Sequence, residues 1–319
     1  MEENGLHEMI SLMKKIVIAL CVLFSLPVFA QRKATTEDGQ QILIYDNGTW
    51  KNAAELEISK DPFPLDRPSF KGQMASSTVK SKTFSLAQAS STKNNITDDA
   101  EWFEKNGLSL PMYEVPNAFK GTAGNVPDKT PKSWNKLKLV EGIYSDKYNF
   151  FVYGKDFASG FVLLVTNRKV DSVLHFLDFG NYVLSPEYVK GDLEFIEQKI
   201  NWVAIEDSVL YVATSHSTYA ASSKGMNAYI TAINLKNYQV LWRSRPLVNN
   251  SLNFELWGDM IICGYGFTAE PDFLYTLDKR TGSVMQTIPL KSGPSYIIRK
   301  DDKVFVRTYN VDYVFKINP

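Results

Sequence analysis

The sequence predicts an all-β chain, its larger part a β-propeller of about four four-stranded blades closed by an N-terminal strand, on three regularities of the C-terminal half. An Asp opening an apolar run recurs at Asp146 (DKYNFFVYG), Asp207 (DSVLYVAT), Asp259 (DMIICGYG) and Asp302 (DKVFVRTY), roughly every 40 to 60 residues. After a loop of variable length a second apolar run ends in Asn or Asp, at Asn167, Asn234, Asp278 and Asn318. A third run follows three times, over Ser172–Phe179, Gln239–Leu247 and Ser283–Leu290.

A further candidate strand precedes each Asp, at Lys136–Val140, Ile200–Ile205, Leu252–Leu256 and Ser295–Arg299, which brings the unit to four strands. The cleanest copy is Phe273–Leu290, FLYTLDKRTGSVMQTIPL, with Gly282 where the turn needs a positive φ that a Cβ would oppose. The fourth copy stops at Pro319 after its third strand, so its outermost place must be filled from elsewhere. Leu108–Val115 (LSLPMYEV) or part of an N-terminal hairpin would serve, and either would cover an exposed edge. A fifth, degenerate blade from residues 31–120 is the alternative, and the polar stretch Lys71–Asp99 speaks against it.

Upstream, Met13-Lys14-Lys15, the apolar run Ile16–Leu26 and Val28-Phe29-Ala30 form the three parts of a secretory signal peptide, residues 1–12 being a start-site extension. The run is shorter than the ~20 residues a spanning helix needs and ends at Pro27, while Leu20 before Cys21 argues against lipid attachment. Residues 31–58 form a β-hairpin module: Gln41–Tyr45, the turn Asp46-Asn47-Gly48, then Thr49-Trp50. This stretch resembles a short module found just after the signal peptide in secreted proteins of Gram-negative bacteria, which implies location more than activity. Residues 59–134 read as a largely irregular linker, rich in Pro at both ends and in Ser, Thr, Lys and Asn between, with one short helix over Asp98–Asn106.

Lys plus Arg equals Asp plus Glu at 35 each, so nothing favours a nucleic-acid or anionic-membrane surface. Signal removal would leave Cys263 as the single cysteine and no internal disulfide. Between Ile262 and Gly264 on a strand it reads as a small buried hydrophobe, and a reactive thiol would have only His175 and His216 as bases. No Gly-rich phosphate loop, Cys pair, HExxH or GxSxG occurs. His175, alternating with apolar neighbours in VLHFLDF, reads as a strand residue with a satisfied hydrogen bond.

At FLYTLDKRTGSVMQTIPL and again at AYITAINLKNYQVLWRSRPL the chain resembles the pyrroloquinoline-quinone (PQQ)-like repeat: an apolar strand ending in Leu-Asp, a Gly-containing turn, and a next strand that often carries a Trp. Trp242 fits that position; Gln286 stands there in the third copy, and Asn237-Tyr238 replaces Thr-Gly in the second. The resemblance covers residues 135–319 and implies a PQQ-like or WD-repeat-like propeller of the bacterial cell envelope. Quinone-dependent dehydrogenases of that superfamily use a calcium-bound cofactor, a catalytic Asp and often vicinal cysteines. No residues here carry that set, so no cofactor, metal or catalytic residue is expected.

The loops Tyr153–Gly160, Thr214–Asn227, Gly264–Asp272 and Arg307–Asp312 hold the same place in the four units, and in a propeller such loops gather on one face. Exposed aromatics there supply contact area at small entropy cost. Asp156, Phe157, His216, Tyr219, Tyr265, Phe267, Glu270 and Tyr309 are the candidate ligand- or partner-binding residues. The expected function is an exported, non-catalytic scaffold, periplasmic or extracellular, that binds a protein, peptide or glycan through this face, with no nucleic-acid partner and no transmembrane segment after signal cleavage. The alternative is a secreted hydrolase or lyase, which needs convergent carboxylates or a His–carboxylate cluster in the central funnel.

Overall fold

The computed structural model describes residues 32–35, 41–44, 50–52, 84–108, 113–114, 126–155, 159–180 and 188–318. The expected signal peptide lies outside them. The chain divides into two units, residues 1–56 and 57–319. In the first, β1 (Arg32–Thr35), β2 (Gln41–Ile44) and β3 (Trp50–Asn52) form an antiparallel meander with Ile44 opposite both Arg32 and Trp50. The hairpin read from the sequence is β2–β3, and β1 adds a third strand.

The second unit begins with β4 (Ser85–Lys93), helix α1 (Asp99–Lys105), β5 (Tyr113–Glu114) and β6 (Ser133–Trp134). Blade 1 then comprises β7 (Leu137–Tyr144), β8 (Tyr148–Gly154), β9 (Gly160–Asn167) and β10 (Val173–Asp178). Blade 2 comprises β11 (Lys199–Glu206), β12 (Val209–Ser215), β13 (Tyr229–Asn234) and β14 (Val240–Arg243). In blade 3 the strands are β15 (Glu255–Trp257), β16 (Met260–Tyr265), β17 (Phe273–Asp278) and β18 (Val284–Pro289). Blade 4 has β19 (Pro294–Lys300), β20 (Lys303–Thr308) and β21 (Val311–Asn318), with β4 as its fourth strand. Each blade is an antiparallel meander, and the four together form a β-propeller. No helix of the described residues is long and apolar enough to cross a membrane.

The recurrent Asp is a turn residue. Asp207-Ser208, Gly258-Asp259 and Asp301-Asp302 are two-residue loops between the first and second strands of blades 2, 3 and 4, closed by the pairs Glu206↔Val209, Trp257↔Met260 and Lys300↔Lys303. Asp207 and Ser208 both hold positive φ, at 49° and 63°, the backbone that matches strand twist in such short hairpins.

The second strand of each unit is mostly apolar because both its faces are largely buried. Phe150, Val152, Leu210 and Val212 fill the layer between blades 1 and 2. The alternate residues Tyr211 and Ala213 meet Ile261, Cys263 and Tyr265 between blades 2 and 3. Met260 and Ile262 in turn meet Val304 and Val306 between blades 3 and 4. Period-two alternation thus serves two interfaces from one strand.

The two end faces of this stack are covered by upstream chain. Val126 and Trp134 pack on the free face of blade 1, where Tyr153 donates its hydroxyl to the Pro131 carbonyl at 2.9 Å. α1, N-capped by Asp98, lays Trp102 and Phe103 on Tyr296 and Ile298 of blade 4, and Arg307 reaches Asp99 at 2.7 Å. The short helix expected there is present.

Closure departs from the sequence expectation. β4, not Leu108–Val115 or the hairpin, completes blade 4, pairing with β21 from Val311↔Lys93 to Asn318↔Ser85. Tyr113–Glu114 instead lines the inner edge of β7. The expected irregular linker therefore contains strands besides its expected helix. β4 escaped notice because it is an outermost strand held by backbone bonds, with Leu86 its one buried side chain; a strand wet on both faces needs no apolar alternation.

Candidate functional site

The inner strands of three blades carry an irregularity at the same place, after Leu139, Ile200 and Pro294, so that Val140, Asn201 and Ser295 stand outside the regular ladder. Bulges of this kind re-aim side chains. Around them lies a cavity of about 320 Å³ to which all four blades contribute. Its wall includes Glu141 from blade 1, Lys199, Asn201 and His216 from blade 2, Ser251 and Phe267 from blade 3, and Ser295 from blade 4.

Asparagine side chains substitute for missing ladder bonds where blades 3 and 4 approach the cavity. Asn250 exchanges two hydrogen bonds with the Gly266 backbone, donating at 2.8 Å and accepting at 3.1 Å. Asn253 does the same with Ile297 of blade 4, at 2.6 and 2.9 Å. Gly266 is required here, since a Cβ would stand 2.3 Å from the Gly293 Cα.

On the cavity wall, Asn201 donates to the Ser215 hydroxyl while its Oδ1 is buried without a partner. Lys199 forms no ion pair or hydrogen bond with the described residues, its electrostatic neighbour being Glu141. Burial pushes the Glu141 carboxyl up to about 7 against the pull of Lys199. Among the described residues Glu141 is the one carboxylate on the wall, and no three His, Cys, Asp or Glu side chains cluster to hold a metal ion.

The structure sorts the sequence-derived candidates. His216 and Phe267 reach the cavity. His216 is buried: Thr218 N–H points at Nδ1, so Nε2–H donates to Ser223 Oγ at 2.7 Å, and burial lowers the ring to about 4. It is a neutral loop brace and not the exposed loop side chain expected. Tyr265 is likewise corrected from exposed loop to buried strand residue, its hydroxyl donated to Glu270. Glu270 also accepts from Ala220 N–H at 2.7 Å, tying the loop of blade 3 to that of blade 2. Tyr219, half exposed, meets Phe267 edge-to-face at 5.1 Å on that bridge. Tyr309 is 86% exposed. Asp156 and Phe157 lie outside the described residues.

Glu141, Lys199, Asn201 and Ser251 were missed by sequence reasoning. The Asn-rich run VNNSLN over 248–253 was the available signal, since amides clustered before a strand mark backbone that needs side-chain partners.

No protein-family model and no curated protein matches this sequence. Among solved structures, it is similar to BamB from Moraxella catarrhalis, at 9% identity and TM-score 0.38 over 90% of this chain and 69% of that one. It is similar to Sqt1 from Saccharomyces cerevisiae at 14% identity and TM-score 0.40, over 88% of this chain and 66% of the other. A europium-containing methanol dehydrogenase aligns at 8% identity and TM-score 0.32, over 72% of this chain but 32% of its own length. The propeller assignment rests on the four sheets themselves.

Proposed function

We propose that this protein is an exported, non-catalytic binding scaffold of the bacterial cell envelope, a PQQ-like or WD-repeat-like propeller that takes a protein, peptide or glycan on its loop face. The signal-peptide pattern supports export, to the periplasm or beyond. The observation that carries the binding reading is the Glu270 bridge, which fixes the loops of blades 2 and 3 together beside the axial cavity and presents Tyr219 and Phe267 as one aromatic edge. A surface held rigid before contact loses little entropy on binding. The alternative, a hydrolase or lyase of the funnel, would draw on the raised Glu141 carboxyl. Glycoside hydrolysis ordinarily uses a carboxylate pair, and Glu141 has no second carboxylate beside it among the described wall residues.

Wild type and a Tyr219→Ala/Tyr309→Ala variant would be compared in capture from envelope extracts and on peptide and glycan arrays. The reading expects capture by wild type, weakened in the variant; equal capture by both would remove the loop face from the account.

A further inference from the structure

The axial cavity has a chemistry of its own. Among the described residues its titratable side chains are Glu141, Lys199 and His216, and His216 is neutral with its proton committed to Ser223. Lys199 is therefore a cation without an ion pair among the described residues, beside a carboxyl that is largely protonated below neutral pH. A lone ammonium in a partly enclosed space favours a ligand that brings an anion.

The remaining polar groups show what surrounds that anion. Asn201 is nine-tenths buried, with Oδ1 unpartnered. The hydroxyls of Ser217 and Ser295 form no hydrogen bond with the described residues. Of the backbone at the wall, the Gly266 N–H is given to Asn250. Among the side chains of the described wall residues, an amide oxygen, two hydroxyls and a carboxyl stand without a hydrogen-bond partner, a set that matches the hydroxyls of a sugar ring. Phe267 adds an aromatic surface at the wall. A volume of about 320 Å³ lies at the small end of ligand pockets, room for one ring.

We propose that the axial cavity binds one uronic-acid residue of an acidic glycan, its carboxylate on Lys199 and its ring hydroxyls on Asn201, Ser217 and Ser295. This rests on the binding-scaffold reading and narrows it to one ligand class and one place. The ligand carboxylate would disfavour ionisation of Glu141 nearby, so that binding takes up a proton and affinity falls as pH rises through about 7.

The test is calorimetric titration of the full chain with glucuronate and galacturonate oligomers, the matching neutral oligomers, and an acetylated dipeptide carboxylate. Wild type, Lys199→Gln and Asn201→Ala would be compared from pH 5.5 to 8.5, with thermal unfolding confirming that each variant is folded. Support would be uronate binding that exceeds neutral-sugar binding, drops about tenfold or more in Lys199→Gln, and weakens with rising pH in wild type. Equal affinity for neutral and acidic sugars, tighter binding of the dipeptide, or an unchanged Lys199→Gln variant would overturn it. Capture of a partner through Tyr219 and Tyr309 together with absent uronate binding would leave the scaffold reading standing and sink this one.

Discussion

Glu255 opens β15 between two opposing influences. Burial drives its carboxyl up to about 7, while the backbone N–H and guanidinium of Arg299 pull it down. Arg299 itself lies over the Trp257 ring at 4.3 Å, so the group sits in a packed wall. A folded-state value above the unfolded one means that the native protein holds the proton more tightly. Stability from this site is present at low pH and is lost as pH rises from the unfolded value toward about 7. Glu255→Gln mimics the protonated form and keeps the oxygen that accepts from Arg299. Its melting temperature should match wild type near pH 4.5, exceed it increasingly up to pH 7, and level off above; a difference independent of pH would refute this account. Some residues could be read in advance: Cys263 is the buried hydrophobe expected, its thiol pushed well up by burial, and His175 meets Tyr238 Oη at 3.1 Å. Tyr265 could not, because it stands at the strand–loop boundary, where one residue of difference decides between solvent and core.

At the scale of the element, one position on the outer strand clips each blade to the next. In VLH, VLW and VMQ the third residue is His175, Trp242 or Gln286. His175 contacts Tyr238 in the turn of blade 2, and Tyr238 holds the positive φ of 57° that Gly282 holds in blade 3 at 69°. Trp242 donates to Lys279 O at 3.2 Å and lies so close to that turn that a Cβ on Gly282 would stand 2.3 Å from its ring. Blade 4 has no such turn of its own, and there Gln286 bonds the Leu86 backbone of β4 twice, at 2.9 and 2.8 Å. What reads in sequence as a lost Trp is thus an amide suited to a strand supplied from elsewhere. Gln286→Leu should destabilise by about 1–3 kcal/mol, and amide exchange should quicken in β4 before other strands; uniform exchange across blade 4 would count against the clip. Trp242→Ala should cost about 3–5 kcal/mol in denaturant unfolding, through the cavity between blades 2 and 3.

For the whole molecule, the stack joins blade 1 to 2, 2 to 3 and 3 to 4 through three buried layers, and the segments between β4 and β7 cover its ends. The final pairing, β4 with β21, joins residues more than 200 positions apart, a contact that forms only once the chain between has been organised. A chain starting at residue 95 would leave the β21 edge bare. It should melt at lower temperature and associate, as light scattering would detect, whereas one starting at residue 57 should keep the melting of the propeller. Equal behaviour of the two truncations would show that β4 is dispensable.

The sequence by itself determined the strands of the four blades and their turns, because local chemistry governs them: alternation sets the faces, and Asp, Asn and Gly set the backbone of tight hairpins. Tertiary structure alone decided which upstream segment closes blade 4 and which side chains meet at the axis. A solvated edge strand has no pattern to read, and Glu141, Lys199 and Asn201 belong to different strands whose convergence depends on how the sheets pack.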